Sequence, residues 1–99
     1  MKAQKRMPER RRFERATVLW SGHLVHGDQA IACLIVNISA GGAMVRTDDA
    51  AICPASVTLR SARIGDLAAE VTWRKNNEMG LKFLDDDQTV AAHIGKALR

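Results

Sequence analysis

Short apolar stretches with a period of two alternate along the chain with clusters of Gly, Ser, Asn and Asp. The first stretch, "ATVLWS", is β-branched and aromatic; "SGHLVHGDQ" then supplies turn residues, and "AIACLIVNI" is a near-continuous apolar run of strand length. Two paired strands are predicted here. "SAGG" interrupts the run and "AMVRT" resumes it, after which "SVTLRS" alternates, with Val57 and Leu59 on one face and Thr58 and Arg60 on the other. A late hairpin is the clearest unit. "AAEVTWR" places Ala69, Val71 and Trp73 on one face, "KNNE" supplies the turn, and "MGLKFL" brings back Met79, Leu81 and Phe83. After "DDD", whose last residue Asp87 is placed to cap a helix, Val90, Ile94 and Leu98 recur every four residues, predicting a short amphipathic helix weakened by Gly95. Six short strands with regular turns predict a mainly all-β fold, a closed or nearly closed antiparallel barrel, because closure removes exposed strand edges. The helix is expected to cover one end.

Composition sets the scale of this picture. Ninety-nine residues that are 46% hydrophobic suffice for one modest core. Residues 1–9 read as a flexible leader and residues 10–99 as a single domain. No apolar run approaches the ~20 residues needed to cross a bilayer. The basic start "MKAQKRMPERRR" has no apolar segment behind it, so it does not read as a secretory signal and a cytoplasmic location is expected. Cys33, inside an apolar run, and Cys53, before Pro54, are expected to be reduced thiols.

Charge changes the picture more. Residues 1–15 carry seven basic and two acidic groups, whereas the rest carries eight basic and nine acidic groups. A neutral body therefore bears a basic arm, and the arm is where an anion would be met. Within it stands Arg11-x-x-x-Arg15, flanked by Arg10 and Arg12. Arginine forks make paired hydrogen bonds to phosphate oxygens or to the O6/N7 edge of guanine. By itself this pattern also fits a solvated basic tail. A second motif, "NISAGG", ends the most apolar strand: Asn37 and Ser39, two apart, would share a face if the strand continued, and Gly41 and Gly42 would let the backbone turn beside a flat ring. By itself it also fits an ordinary strand exit with a glycine bulge.

Together, in this order and separation, the motifs resemble those of the PilZ domain family, RxxxR followed by [D/N]xSxxG, standing here as "RRFER" and "NISAGG". The resemblance extends over the arm, the six strands, a "TWRKNNEMGLKF" segment like the family's last hairpin, and the C-terminal helix. It implies a six-stranded β-barrel that binds the second messenger cyclic di-GMP, with no cofactor. It also implies that Arg11 and Arg15 hold guanine edges and phosphates, that Asn37 and Ser39 contact a base, and that Gly42 leaves space. An arginine at the position of Arg10 implies two intercalated ligand molecules per protomer. Asn37 stands where many family members have Asp, giving up a charge-assisted hydrogen bond. Trp73 has two readings, a ligand-side aromatic as in many relatives or the completion of the apolar face with Ala69 and Val71; Arg74 on the opposite face is a weaker phosphate candidate.

His23 and His26 form an HxxH pair, but no further ligands complete a metal set. Paired carboxylates occur only in "DD" and "DDD", and no nucleophile and base are set together, so no enzyme is expected. The expected function is that of a receptor: ligand folds the basic arm onto the barrel and changes the surface offered to an unidentified partner protein. The alternatives are an adaptor of the same fold that binds no nucleotide, and a small barrel binding RNA or single-stranded DNA. The near-neutral body and sparse aromatics, Phe13, Trp20, Trp73 and Phe83, weigh against nucleic acid.

Overall fold

Alternation along β1 (Ala16–His26), β2 (Gln29–Ile38), β3 (Gly42–Arg46), β4 (Ser56–Ser61), β5 (Gly65–Lys75) and β6 (Glu78–Phe83) closes a barrel in the computed structural model, which describes residues 15–98. The strands run in the order β1-β2-β3-β6-β5-β4, antiparallel at every pairing. One face of each strand points inward, so Leu24, Ile35, Leu59, Leu67 and Met79 are almost wholly buried in one cluster. The predicted six-stranded barrel is therefore the fold.

β1 runs further than "ATVLWS", to His26, and turns at Gly27 and Asp28, where Gly27 takes φ 59°. In the late hairpin Lys75 pairs with Glu78, and Asn76 adopts φ 56°, a left-handed conformation that asparagine tolerates.

Three register shifts interrupt the strand pairing, between Thr17 and Trp20 in β1, between Ile35 and Asn37 in β2, and between Val71 and Trp73 in β5. Each adds a residue to one strand of a pair; inward and outward positions still alternate through the shift in β1, whereas in β2 and β5 the following side chains go to the other face. Trp73 consequently does not continue the apolar face of Ala69 and Val71. It lies outside and is 43% exposed.

α1 (Asp87–Leu98) buries Val90 and Ile94 in the barrel cluster. Leu98, the third expected contact, is half-exposed, and Ala97 packs against the cluster instead. A four-residue spacing drifts about 40° per step on a 3.6-residue helix, so Leu98 lies about 80° from Val90. The cap is Asp86 and not Asp87: the Thr89 N–H donates to Asp86 Oδ1 at 2.8 Å. Hydrogen bonds from Thr89 hold the Asp86 carboxyl below its ordinary value. Because the folded-state value is depressed, the cap's contribution is present above the unfolded-state value of about 4 and fades as pH falls through the folded-state value. Asp86→Ala should lower Tm at neutral pH, and its thermal melts should converge on those of wild type in acid, once the wild-type Asp86 carboxyl is protonated in the folded as well as the unfolded state.

Cys33 and Cys53 are both free. Burial, reinforced by Cys53, pushes the Cys33 thiol up to about 12, and burial also raises Cys53 against the opposing charge of Arg74.

Candidate ligand-binding site

The two bulges in β2 and β5 build the site. Past the first, Asn37 points out of the barrel while its neighbour Ile38 is buried. Past the second, Trp73 does the same. Cross-strand pairing then places one row on the outer face, with Asn37 opposite Met44, Met44 opposite Gly80, and Gly80 opposite Trp73. A side chain at Gly80 would occupy the space of the indole, since an added Cβ would lie 1.9 Å from Trp73 Nε1. Glycine lets the ring lie against the backbone of β6. The Thr72 hydroxyl, at the β5 bulge, donates to the Gly80 carbonyl at 3.2 Å and ties the bulge to β6.

Beside this row opens a cavity of about 280 Å³ lined by Arg15, Asn37, Met44, Thr72, Trp73 and Gly80, with Ala43 and Leu81 at its floor. Arg15, immediately before β1, reaches across it and donates from Nη1 to Asn37 Oδ1 at 2.6 Å. Among the described residues Arg15 is the only charged one lining the cavity, so an aromatic ring, an amide and one cation face the same space.

Arg15, Asn37 and Trp73 are thus brought together, and Trp73 lies beside the cavity and outside the core, so it does not complete the apolar face with Ala69 and Val71. Ser39 and Gly42 do something else. β2 stops at Ile38, and the buried Ser39 hydroxyl accepts from the Gly41 N–H at 3.3 Å within the turn into β3. Backbone bonds between Ser39 and Gly42, 2.8 and 3.3 Å, close that turn. Asn37 and Ser39 therefore do not line one cavity, and the space at Gly42 is filled by the backbone of β6, with the Leu81 carbonyl oxygen 2.0 Å from where a Cβ would be. Arg10, Arg11 and Arg12 lie outside the described residues. Arg74 donates to the Cys53 carbonyl at 2.6 Å. His23 and His26, three apart on a strand, point to opposite sides, and His26 Nδ1 meets the Ser56 carbonyl at 3.0 Å.

Met44, Thr72 and Gly80 were not singled out by sequence. A glycine inside a strand is the available signal for Gly80; nothing in the sequence marks Met44. Gly80→Ala should turn Trp73 away from β6 at small cost in stability, because the obstructing group is a side chain free to rotate. The measurement is tryptophan emission, expected to shift to the red through Trp73 while the buried Trp20 is unchanged.

Among the described residues, no group of three or more His, Cys, Asp or Glu is placed to hold a metal, and no helix is long and apolar enough to cross a membrane. None of the curated proteins compared matches this chain. Among solved structures, the crystal structure of the uncharacterized Legionella protein Lpg0364 is similar in fold, with a TM-score of 0.57 and 22% identity over 84% of this chain and 89% of that one. The PilZ domain family matches residues 9–99, nearly the whole sequence, and the chain belongs to that family.

Proposed function

We propose that the protein is a receptor for cyclic di-GMP, a family role that rests on binding and not on catalysis. The observation that carries the reading is the Arg15 to Asn37 hydrogen bond across an open cavity walled by Trp73. Guanine offers N1–H and N2–H donors to an amide oxygen, an O6/N7 edge to a guanidinium, and a flat face to an indole. All three partners face this cavity.

Ligand entry then becomes an exchange. The guanine donors take over the Asn37 carbonyl, and the released Arg15 fork turns to the ligand's Hoogsteen edge or phosphate. The bond given up is charge-assisted on one side only, because Asn37 is neutral, so its loss costs less than breaking an arginine–carboxylate pair. The same neutrality weakens what Asn37 returns to the base. A cavity of about 280 Å³ is small for a whole dinucleotide, whereas ligand pockets commonly span roughly 300–1,000 Å³. The remaining cover is assigned to the arm: Arg10 and Arg11 neutralise the phosphates, drawing the arm onto the barrel, and Arg10 favours two stacked ligands. Ser39 and Gly42 shape the turn that presents Asn37. The altered surface would be read by a partner protein, in the cytoplasm.

The nucleic-acid alternative finds little support, since of the described aromatics Trp20 and Phe83 are buried and only Trp73 offers a face for stacking. Calorimetric titration with cyclic di-GMP, with GTP as control, tests the receptor reading. Saturable heat near or below micromolar with the dinucleotide alone supports it, and the molar ratio separates one ligand from two. No heat at high ligand concentration overturns it and leaves the adaptor.

A further inference from the structure

A second cleft lies away from that site, between α1 and the turn joining β4 to β5. It measures about 280 Å³ and is lined by Arg63, Ile64, Ala92, His93 and Lys96. Two full cations and an imidazole line it, and among the described residues no carboxylate does.

Arg63 is the informative member. The other described arginines spend side-chain donors on protein acceptors: Arg15 on Asn37, Arg46 on Glu78, Arg60 on Asp66 and Arg74 on the Cys53 carbonyl. Among the described residues Arg63 has no such acceptor. Its Cζ sits over the buried Trp20 ring, 5.4 Å from the centroid. A cation held over a ring face keeps its in-plane N–H donors for another group, and the side-chain entropy of the arginine is already reduced before a ligand arrives. Lys96, in the last turn of α1, also complements the negative end of the helix, which explains that charge without Arg63 or His93.

We infer that this cleft is an anion site for a small phosphate ester, its phosphate held by Arg63, His93 and Lys96 and its carbon portion resting on Ile64 and Ala92. The number and kind of donors favour phosphate over carboxylate. An arginine fork alone saturates the two oxygens of a carboxylate, whereas a third oxygen and a second charge give the ammonium and the ring N–H their own partners. Among the described residues the site shares no lining residue with the cavity at Arg15 and Asn37, and the inference does not rest on the cyclic di-GMP reading.

Residue-resolved amide NMR on the full chain tests it, titrating inorganic phosphate against acetate and chloride at matched ionic strength and neutral pH. The expected result is saturable shifts at residues 63, 64, 92, 93 and 96 with phosphate and only weak, linear drift with acetate. Arg63→Ala should weaken phosphate binding about tenfold. Because that change also uncovers Trp20, Lys96→Ala on the helix surface serves as the second variant, with a smaller loss at the same residues and only a small change in Tm from the lost charge at the helix end. Linear shifts with phosphate, equal response to acetate, or shifts confined to the residues before β1 would each overturn the inference.

Discussion

Arg15→Ala is expected to weaken cyclic di-GMP binding by about 100-fold or more, roughly 2.7 kcal/mol, while leaving the barrel folded. The size follows from what is removed. A guanidinium facing a base edge or phosphate in the Trp73 cavity makes paired, charge-assisted bonds, and hydrogen bonds to charged groups contribute about 1.5–3 kcal/mol each. Truncation also leaves Asn37 free in the empty protein, which slightly favours ligand and sets a limit on the loss. Arg15→Lys should recover little, because an ammonium keeps the charge without the fork. Stability should barely change, since Arg15 is exposed and its one described bond is a surface contact. Calorimetry on the two variants beside wild type, with thermal melts as the folding control, makes the check. Affinity within twofold of wild type would remove Arg15 from the binding machinery.

Gly42→Ala should instead strike the fold, lowering Tm by about 10–20 °C. The φ of Gly42 is not in the left-handed region, so the requirement is one of space. A methyl group there would meet the Leu81 carbonyl oxygen at 2.0 Å and the Leu81 carbonyl carbon at 3.1 Å. Both are backbone atoms of β6, so relief means parting β3 from β6, a pairing that closes the barrel between distant parts of the chain. Overpacking of this kind costs about 1–3 kcal/mol, and each kcal/mol moves Tm by roughly 4–8 °C in a domain this size. Gly80→Ala is the informative contrast. The same methyl group meets a movable indole there, so binding and fluorescence should respond more than Tm. If Gly42→Ala melts like wild type, the close approach of the two strands is not a constraint.

The six strands, the hairpin turning at Asn76 and Asn77, and the helix face of Val90 and Ile94 were legible because each depends on local pattern. Period-two alternation reports one buried face, and turn residues report their own backbone preferences. The motif residues Arg15 and Asn37 were legible as chemistry, through what a fork and an amide recognise.

Their arrangement was not. Reading alternation straight through "AEVTW" puts Trp73 in the core with Val71, and reading it through "NIS" puts Ser39 beside Asn37; both fail at points where the strand departs from regular pairing. A bulge is a mismatch of count between two strands, so it has no signature in either strand alone. The cap moved by one residue, from Asp87 to Asp86, because three adjacent aspartates are equivalent until packing of Val90 and Ile94 sets the helix phase. Likewise Gly80 and Met44 enter the site only because β3, β5 and β6 lie side by side. The sequence by itself determined the strands, the helix, the basic arm and the kinds of group available for recognition. Tertiary structure decided which of those groups share a cavity, because facing and register are properties of paired strands and not of any one of them.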